Sequence, residues 1–459
     1  MSLSDPVDRR PVHFVGIAGA GMSALAALLA RRGVPVTGCD LALDGGSAAD
    51  LARYGIRAAA GHDPAHVDGA RALVVTSAMP PDHPELTRAR SLGVPVVRRA
   101  DALGRAVSGA TVVGVAGTHG KTTTTVMATE ALAAAGRDPT GLAGGRVAAW
   151  QGNFRAGSDR TVVVEADEYD RSFLALTPSV AVVTNVEADH LDIYADLADI
   201  RGAFERFVSP ARAVVRCADD PGAAGLAMPP AADILTYGIG DGPRLAAHEV
   251  MQVEGRIRFV VRMDGRDLGE MSLQVPGMHN VRNALAALGS GLSLGATLDG
   301  MRPGIERFEG VDRRFQRLGT VRGVQVVDDY AHHPTEIVAT LDAARAAFPG
   351  RRLVAAFQPH LFTRTRDFAA AFGTALARAD LVFLTEIYPA REQPLPGITS
   401  QLVADALRAA GHDAEWRGTR ADLAAALSAA VRDGDVVITL GAGDITRTGP
   451  ELLQRLAAP

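Results

Sequence analysis

Three times along this chain a run of β-branched and apolar residues gives way to a turn and then to an Ala/Leu-rich stretch with helical spacing. The stretches are "PVHFVGIAGAGMSALAALLARRG" from Pro11, "TVVGVAGTHGKTTTTVMATEALAAAG" from Thr111 and "RLVAAFQPHLFTRTRDFAAAFGTALA" from Arg352. Repeated β–α alternation of this kind predicts parallel sheets and an α/β fold. In the first unit Val12 to Val15 reads as a strand, Gly16 to Gly21 as a turn and Met22 to Arg32 as a helix ended by Gly33; "PVTGCD" is the second strand. At ~150 residues per domain the 459 residues suit three domains, and 47% apolar content is ample for their cores. The boundaries read as 1–107, 108–313 and 314–459. The middle region adds the strands "TVVVEAD" and "SVAVVTNVEADH", a hairpin turning at Asp264-Gly265, and a long helix from about Asn280. In the last region "GVQVVDDY", "RLVAAFQPH", "LVFLTEIY" and "DVVITLGAGD" all end in polar residues, and open parallel sheets bind ligands at those carboxyl ends.

Charge removes several classes of function. With 47 basic against 52 acidic residues the net charge is −5, so no general field favours nucleic acid or an anionic membrane, and small anions must be held by local arrangements. The N-terminal stretch has no apolar signal core, and no run approaches the ~20 apolar residues of a membrane span. A cytoplasmic protein is expected. Cys39 and Cys217, far apart in sequence, suit a reducing compartment and read as structural, with no metal cluster built from the two of them.

The turns carry the chemistry. "GIAGAGMS" sets Gly16, Gly19 and Gly21 between strand and helix, where backbone N–H groups and the helix dipole meet a pyrophosphate. Asp40, closing the second strand, would stand near a ribose, which makes an NAD-dependent oxidoreductase one reading and a purely structural turn another. "GTHGKTTT" is more specific: Gly117 and Gly120 let backbone wrap phosphates, Lys121 supplies a point charge at the β/γ-phosphates and Thr122 reaches Mg²⁺. Val115 stands where the common P-loop spacing has glycine, so the loop is a variant. Glu165, Asp167, Glu168 and Asp170 follow one strand, and Asp189, His190 and Asp192 follow the next. Hard oxygen donors beside a triphosphate suit Mg²⁺, and a histidine among them suggests a second metal position. Asn280 and Asn283 sit at a helix start, where capping is the plain alternative. "DDYAHHP" and "FQPHLFTRTRDF" gather Asp, Tyr, His and Arg at strand ends able to bind sugar hydroxyls and carboxylates.

Taken in order, "GIAGAGMSALA", "GTHGKTTTT", "EADE", "NVEADHLD", "HNVRNALAA", "RRF", "DDYAHHPTEI", "FQPHLFTRTRD" and "GAGDI" resemble the Mur ligases over essentially the whole chain. The resemblance implies an N-terminal Rossmann-like domain for a UDP-sugar, a central P-loop ATPase-like domain and a C-terminal Rossmann-like domain that brings an amino acid. It turns the first glycine turn into a UDP-diphosphate site, with Gly19, Ala20, Gly21, Met22, Ser23 and Asp40 as substrate residues, in place of the NAD reading. It implies ATP and Mg²⁺: Gly117, Thr118, Gly120, Lys121, Thr122 and Thr123 at phosphates and metal, Glu165 and His190 as metal ligands, Asn283 at adenine, and Arg314 and Asp329 at ATP phosphates or ribose. Tyr330, His332 and Arg364 resemble residues around the incoming amino acid, and His332 is the candidate for taking the amine's proton. "ADIRGAFERF" lacks the lysine that some Mur ligases carbamylate, as the alanine-adding branch does. UDP-N-acetylmuramate and L-alanine are therefore the implied partners, with a monomer or weak homodimer as the assembly. A peptide-adding recycling ligase and a non-enzymatic nucleotide-gated module are the other readings. Ala18 and Tyr169 depart mildly from the family pattern; Leu361 stands where it usually has arginine.

Overall fold

The computed structural model describes residue 3 and residues 7–77, 79–253 and 255–458. Among the described residues the sheets are three. The first is wholly parallel, ordered Arg57–Ala60, Val36–Asp40, Val12–Val15, Ala72–Val75, Val96–Arg98. Strand order reverses between Val12–Val15 and Ala72–Val75, so the crevice of this sheet opens beside the turn that begins at Gly16. The following helix spans Ala20–Arg31, two residues earlier than its apolar spacing indicates, because Gly19 acts as its N-cap.

The second sheet has ten strands. Its parallel centre runs Asp233–Ile239, Ala213–Cys217, Val180–Val183, Thr111–Ala116, Thr161–Glu165 and Thr140–Val147. Gly152–Arg155 adds antiparallel to Thr140–Val147, so the sheet is mixed at that edge. Gly141 explains why this glycine-rich edge packs: a Cβ there would stand 2.8 Å from Thr129 and 2.9 Å from Trp150. At the other end follow Leu245–Val253 and the hairpin Arg256–Met263/Arg266–Leu273, whose Asp264 and Gly265 both have positive φ, as its tight turn requires.

The third sheet is ordered Gln316–Val321, Val324–Asp329, Val436–Leu440, Leu353–Phe357, Leu381–Thr385, Trp416–Gly418, parallel except for the first pair. Val327, Ala355, Phe357, Leu384 and Ile438 pack into one core and Val326, Val354, Ala356, Phe383 and Val437 into another. Alternate residues of the same strands thus feed opposite faces, and helices cover both. The chain divides into two compact units. One comprises residues up to Glu249 with Phe259–Met271 and Arg282–Phe308, and the other Val250–Arg258, Ser272–Val281 and Glu309 onward.

Candidate active site

In the first unit the strand Thr111–Ala116 runs into a loop that only glycine fits. Gly117 has φ +144° and an added Cβ would stand 1.9 Å from Thr184 Oγ1; Gly120 has φ +79° and its Cβ would meet Asn283 Oδ1 at 2.6 Å. The neighbouring strand end fastens the loop: Thr118 N–H donates to Asn185 O (3.1 Å), His119 N–H to Asn185 Oδ1 (2.7 Å) and Glu187 N–H to Thr118 Oγ1 (3.0 Å). Gly120 then caps the helix Lys121–Ala134 with no side-chain cap and no acid in the first turn. The amides of Lys121, Thr122 and Thr123 open this helix, and such a start is built for an anion. Asn283 lies against it, accepting from Thr124 Oγ1 (3.2 Å).

Lys121 Nζ donates to Gly117 O (2.7 Å), Thr118 O (3.2 Å) and Glu168 Oε1 (3.0 Å). Thr122 Oγ1 donates to Glu165 Oε1 (3.0 Å), whose Oε2 accepts from Gly144 N–H (2.5 Å). Burial pushes the Glu168 carboxyl up to about 7 against the pull of Lys121, with Asp167 adding to the rise. Glu165 is likewise raised by burial, against Lys121 and the Gly144 and Thr122 donors. Burial works to lower the Lys121 pKa, but Glu168 and Asp167 outweigh it and the ammonium is held protonated. One ammonium is shared among these acids, and the carboxylate and hydroxyl oxygens left over fit a hard divalent cation such as Mg²⁺. His190 brings Nε2 within 3.8 Å of Glu168 Oε1 and lies edge-on to Tyr169. Asp170, Arg171 and His190 all hold φ between +52° and +54°, strain of the kind that clusters at working sites.

The turn after Val12–Val15 is held by contacts from neighbouring side chains. Asp40 Oδ2 accepts from Ala18 N–H (2.9 Å) and Oδ1 from Ala42 N–H (2.8 Å), so its carboxylate braces the turn. Ser23 Oγ accepts from Asn153 Nδ2 (3.0 Å), while the Met22 side chain is core and its N–H bonds Gly19 O. Gly21 leaves room for Arg99, whose guanidinium a Cβ would meet at 2.8 Å. Arg99 was missed by sequence reasoning although it lies at the start of a helix facing the turn. At the turn a cavity of about 150 Å³ is lined by Ala18, Ala20, Ser23, Ser47, Tyr54 and Asn153, among others.

In the second unit the ends of Val324–Asp329 and Leu353–Phe357 bring Tyr330, His332, His360 and Arg364 together. Rings pack edge to face from Tyr330 to His332 (5.2 Å) and from His332 to His360 (5.8 Å), and His360 stacks on Tyr388 (5.8 Å). Arg364 Nη1 lies 3.4 Å from His360 Nδ1, and Arg313 and Arg314 lie over the Tyr330 ring. His332 Nδ1 is 3.0 Å from Tyr330 O and 3.1 Å from Glu336 Oε2; a proton held there leaves Nε2 as a base. Tyr388, His360 and Arg313 escaped sequence assignment to the site; His360 was visible in "FQPH" but carried no role. Leu361 is 3% exposed with φ +69°, so an arginine at this position would bury its charge.

Asp329 accepts from Phe315 N–H and Ala331 N–H (both 2.8 Å), and burial pushes its carboxyl up to about 6 against Arg314 and those donors. The native state therefore keeps a proton that the unfolded chain releases near ~4. Its stabilising effect is complete below ~4 and is lost as pH rises through about 6. In Asp329→Asn the melting temperature should fall less between pH 5 and 7 than in wild type; an unchanged slope would contradict this assignment.

A glycine loop closing on one largely covered lysine, with carboxylates and a hydroxyl beside it, defines a nucleotide-binding α/β enzyme of the phosphoryl-transferring kind. Family models match in sequence: "Mur ligase family, catalytic domain" over 11–111, "Mur ligase middle domain" over 115–291 and "Mur ligase, glutamate ligase domain" over 313–443. The UDP-N-acetylmuramate–L-alanine ligase of Cutibacterium acnes is 46% identical over 99% of this chain and 97% of its own length. That of Acidothermus cellulolyticus is also 46% identical, over 97% and 94%. Among solved structures, UDP-N-acetylmuramate-alanine ligase from Thermotoga maritima superposes with a TM-score of 0.82 at 31% identity, covering 97% of this chain and 99% of that one. The chain belongs to the Mur ligase family. Among the described residues no helix is long and apolar enough to cross a membrane.

Proposed function

We propose that the chain joins the carboxylate of UDP-N-acetylmuramate to the amine of L-alanine, splitting ATP to ADP and inorganic phosphate, a step of peptidoglycan precursor synthesis. The observation that carries this reading is Lys121, fixed at the glycine loop between two backbone carbonyls and Glu168 and adjoining the Thr122–Glu165 pair. That arrangement suits a ligase that activates a carboxylate with ATP, and the Thermotoga maritima ligase shares the fold.

Gly117, Thr118 and Gly120 cradle the triphosphate, the amides of Lys121, Thr122 and Thr123 face it, and Lys121 neutralises the β/γ-phosphates. Asn283 receives the adenine, and Arg314 and Asp329 the phosphate or ribose. Thr122, Glu165 and His190 would hold Mg²⁺, which when bound withdraws charge from the phosphate oxygens. The sugar's carboxylate attacks the γ-phosphorus, ADP leaves, and an acyl phosphate results. The alanine amine adds to its carbonyl carbon, phosphate leaves, and the amine proton passes to His332 Nε2. Gly19, Ala20, Gly21, Met22, Ser23 and Asp40 form the UDP-sugar edge, largely through backbone, with Arg99 as the added cation. Domains of 1–107, 108–313 and 314–459 divide these tasks, in a cytoplasmic monomer or weak homodimer.

Tyr330, His332 and Arg364 receive the amino acid. Its carboxylate stays charged throughout, and Arg364, 5% exposed, is placed to pair it rather than leave it bare. A charge-assisted pair contributes about 1.5–3 kcal/mol, so Arg364→Ala should raise KM for L-alanine ~10-fold or more and leave KM for ATP within a few-fold. Unchanged alanine kinetics would place the amino acid elsewhere. The reading as a whole is tested by ADP release. It should require UDP-N-acetylmuramate and L-alanine together; sustained ADP release with ATP alone would sink it.

A further inference from the structure

The first sheet covers a set of donor atoms that the ligation does not use. His13 comes from the strand Val12–Val15, Cys39 from Val36–Asp40, His66 from the short turn Pro64–Val67 and Glu85 from the first turn of the helix Pro84–Leu92. Each offers one ligand atom, and the atoms lie within 4.8 Å of one another. Cys39 Sγ is 3.1 Å from Glu85 Oε1, His66 Nδ1 is 2.9 Å from the same oxygen, and His13 Nε2 is 3.9 Å from Glu85 Oε2. We propose that these residues form a closed, tetrahedral site for a divalent transition metal, zinc by its donor chemistry, held by His13 Nε2, Cys39 Sγ, His66 Nδ1 and a Glu85 carboxylate oxygen.

His13 is the observation that points to a ligand. It is 2% exposed, and Nε2 has no hydrogen-bond partner. Its Nδ1 lies 2.9 Å from Thr37 Oγ1. A proton on Nδ1, donated to Thr37, leaves the Nε2 lone pair directed at the carboxylate, the outer hydrogen bond that orients metal-binding histidines. An orphaned buried nitrogen costs free energy unless something occupies it. Bonds of ~2.0 Å to nitrogen or oxygen and ~2.3 Å to sulfur put tetrahedral ligands ~3.3–3.8 Å apart, and the distances from Glu85 to the other three donors, 3.1, 2.9 and 3.9 Å, lie close to that range.

Charge and proton balance also agree. Glu85 is fully buried, and its neighbours are the His13 and His66 imidazoles, the Cys39 thiol and Asp63 N–H, which donates to Oε1 (3.0 Å). Cys39 Sγ lies 3.1 Å from Glu85 Oε1, the place of a thiol donating to a carboxylate, so without metal the sulfur keeps its proton. On binding, the Cys39 S–H proton leaves to solvent as the sulfur–metal bond forms, and the His66 proton moves from Nδ1 to Nε2. The filled site then holds a dication against one thiolate and one carboxylate, neutral overall. Four protein donors leave no open position for substrate, which marks a structural rather than a catalytic metal. It would join two strands, a turn and a helix. It would also steady the substrate edge, because Cys39 O accepts from Gly16 N–H (2.8 Å) and the next residue is Asp40.

The test is metal analysis of the full chain after dialysis into metal-free buffer, followed by exchange with Co²⁺. Wild type should carry ~1 zinc per chain, and its cobalt form should show thiolate-to-cobalt charge transfer with tetrahedral ligand-field bands. Cys39→Ser and His66→Ala should lose both signals, and Glu165→Gln, at the ATP end, should keep them. Zinc-free wild type that gives no thiolate band with Co²⁺ would overturn the site. So would Cys39→Ser retaining its metal. Because the wild-type measurements decide the question without the variants, a variant that misfolds does not weaken the test.

Discussion

Lys121→Ala should lose about two to three orders of magnitude in ligation rate while binding UDP-N-acetylmuramate nearly as wild type does. Removing one preorganised charge that acts on the transition state costs ~10²–10³ in kcat, and among the described residues this is the ammonium that the loop's carbonyls hold. The substitution also strips Glu168 of its partner, and breaking a buried pair destabilises by about 3–5 kcal/mol. The double variant Lys121→Ala/Glu168→Gln separates the two effects: it should recover thermal stability and stay inactive. Activity returning with stability would mean that Lys121 serves the fold and not the phosphates.

Glu165→Gln should lower turnover by orders of magnitude and move the Mg²⁺ dependence to higher concentration, with UDP-sugar affinity kept. Glutamine retains the shape, its oxygen accepting from Gly144 N–H and its amide donating to Thr122 Oγ1 where the carboxylate accepted from it, but loses the charge. His190→Ala should act in the same direction. The proposed sugar edge at Gly19 and the proposed reacting end at Gly117 follow strands of different sheets, so a defect at the metal should appear in kcat rather than in sugar binding. Sugar affinity falling in step with turnover would contradict separate sites; Mg²⁺ dependence unchanged in Glu165→Gln would remove that residue from the metal.

What the sequence made legible was local. The glycines, lysine and hydroxyls of "GTHGKTTT" are consecutive, and their spacing alone places a phosphate loop between strand and helix. The β–α alternation implies parallel sheets for the same reason. Partners set by strand order were not legible: Asn185 holds the loop because Val180–Val183 pairs with Thr111–Ala116, and Tyr388 stacks on His360 through an isolated bridge between strand ends. Asp40 shows the same limit from the other side. Its position at the end of the second strand is plain in the sequence, yet its carboxylate oxygens accept from backbone N–H groups, which no spacing rule reveals. The antiparallel edge Gly152–Arg155 was not read from sequence either, since its glycine-rich partner "TGLAGGRV" is a strand whose Gly141 leaves room for Trp150 and Thr129, contacts that only the fold sets. Cys39 reads in sequence as structural and remote from any cluster; its neighbours come from separate elements with no motif spacing, so only the fold assembles them.

The central claim is the identity of the bond that is made. The most direct measurement is mass spectrometry of the products formed by the purified chain from UDP-N-acetylmuramate, ATP and Mg²⁺, offered L-alanine or, separately, a preformed peptide beginning with L-alanine. The account predicts UDP-N-acetylmuramoyl-L-alanine with one ADP and one phosphate per amide, and no product from the peptide. An adduct with the peptide alone, or ATP bound without any amide formed, would contradict it.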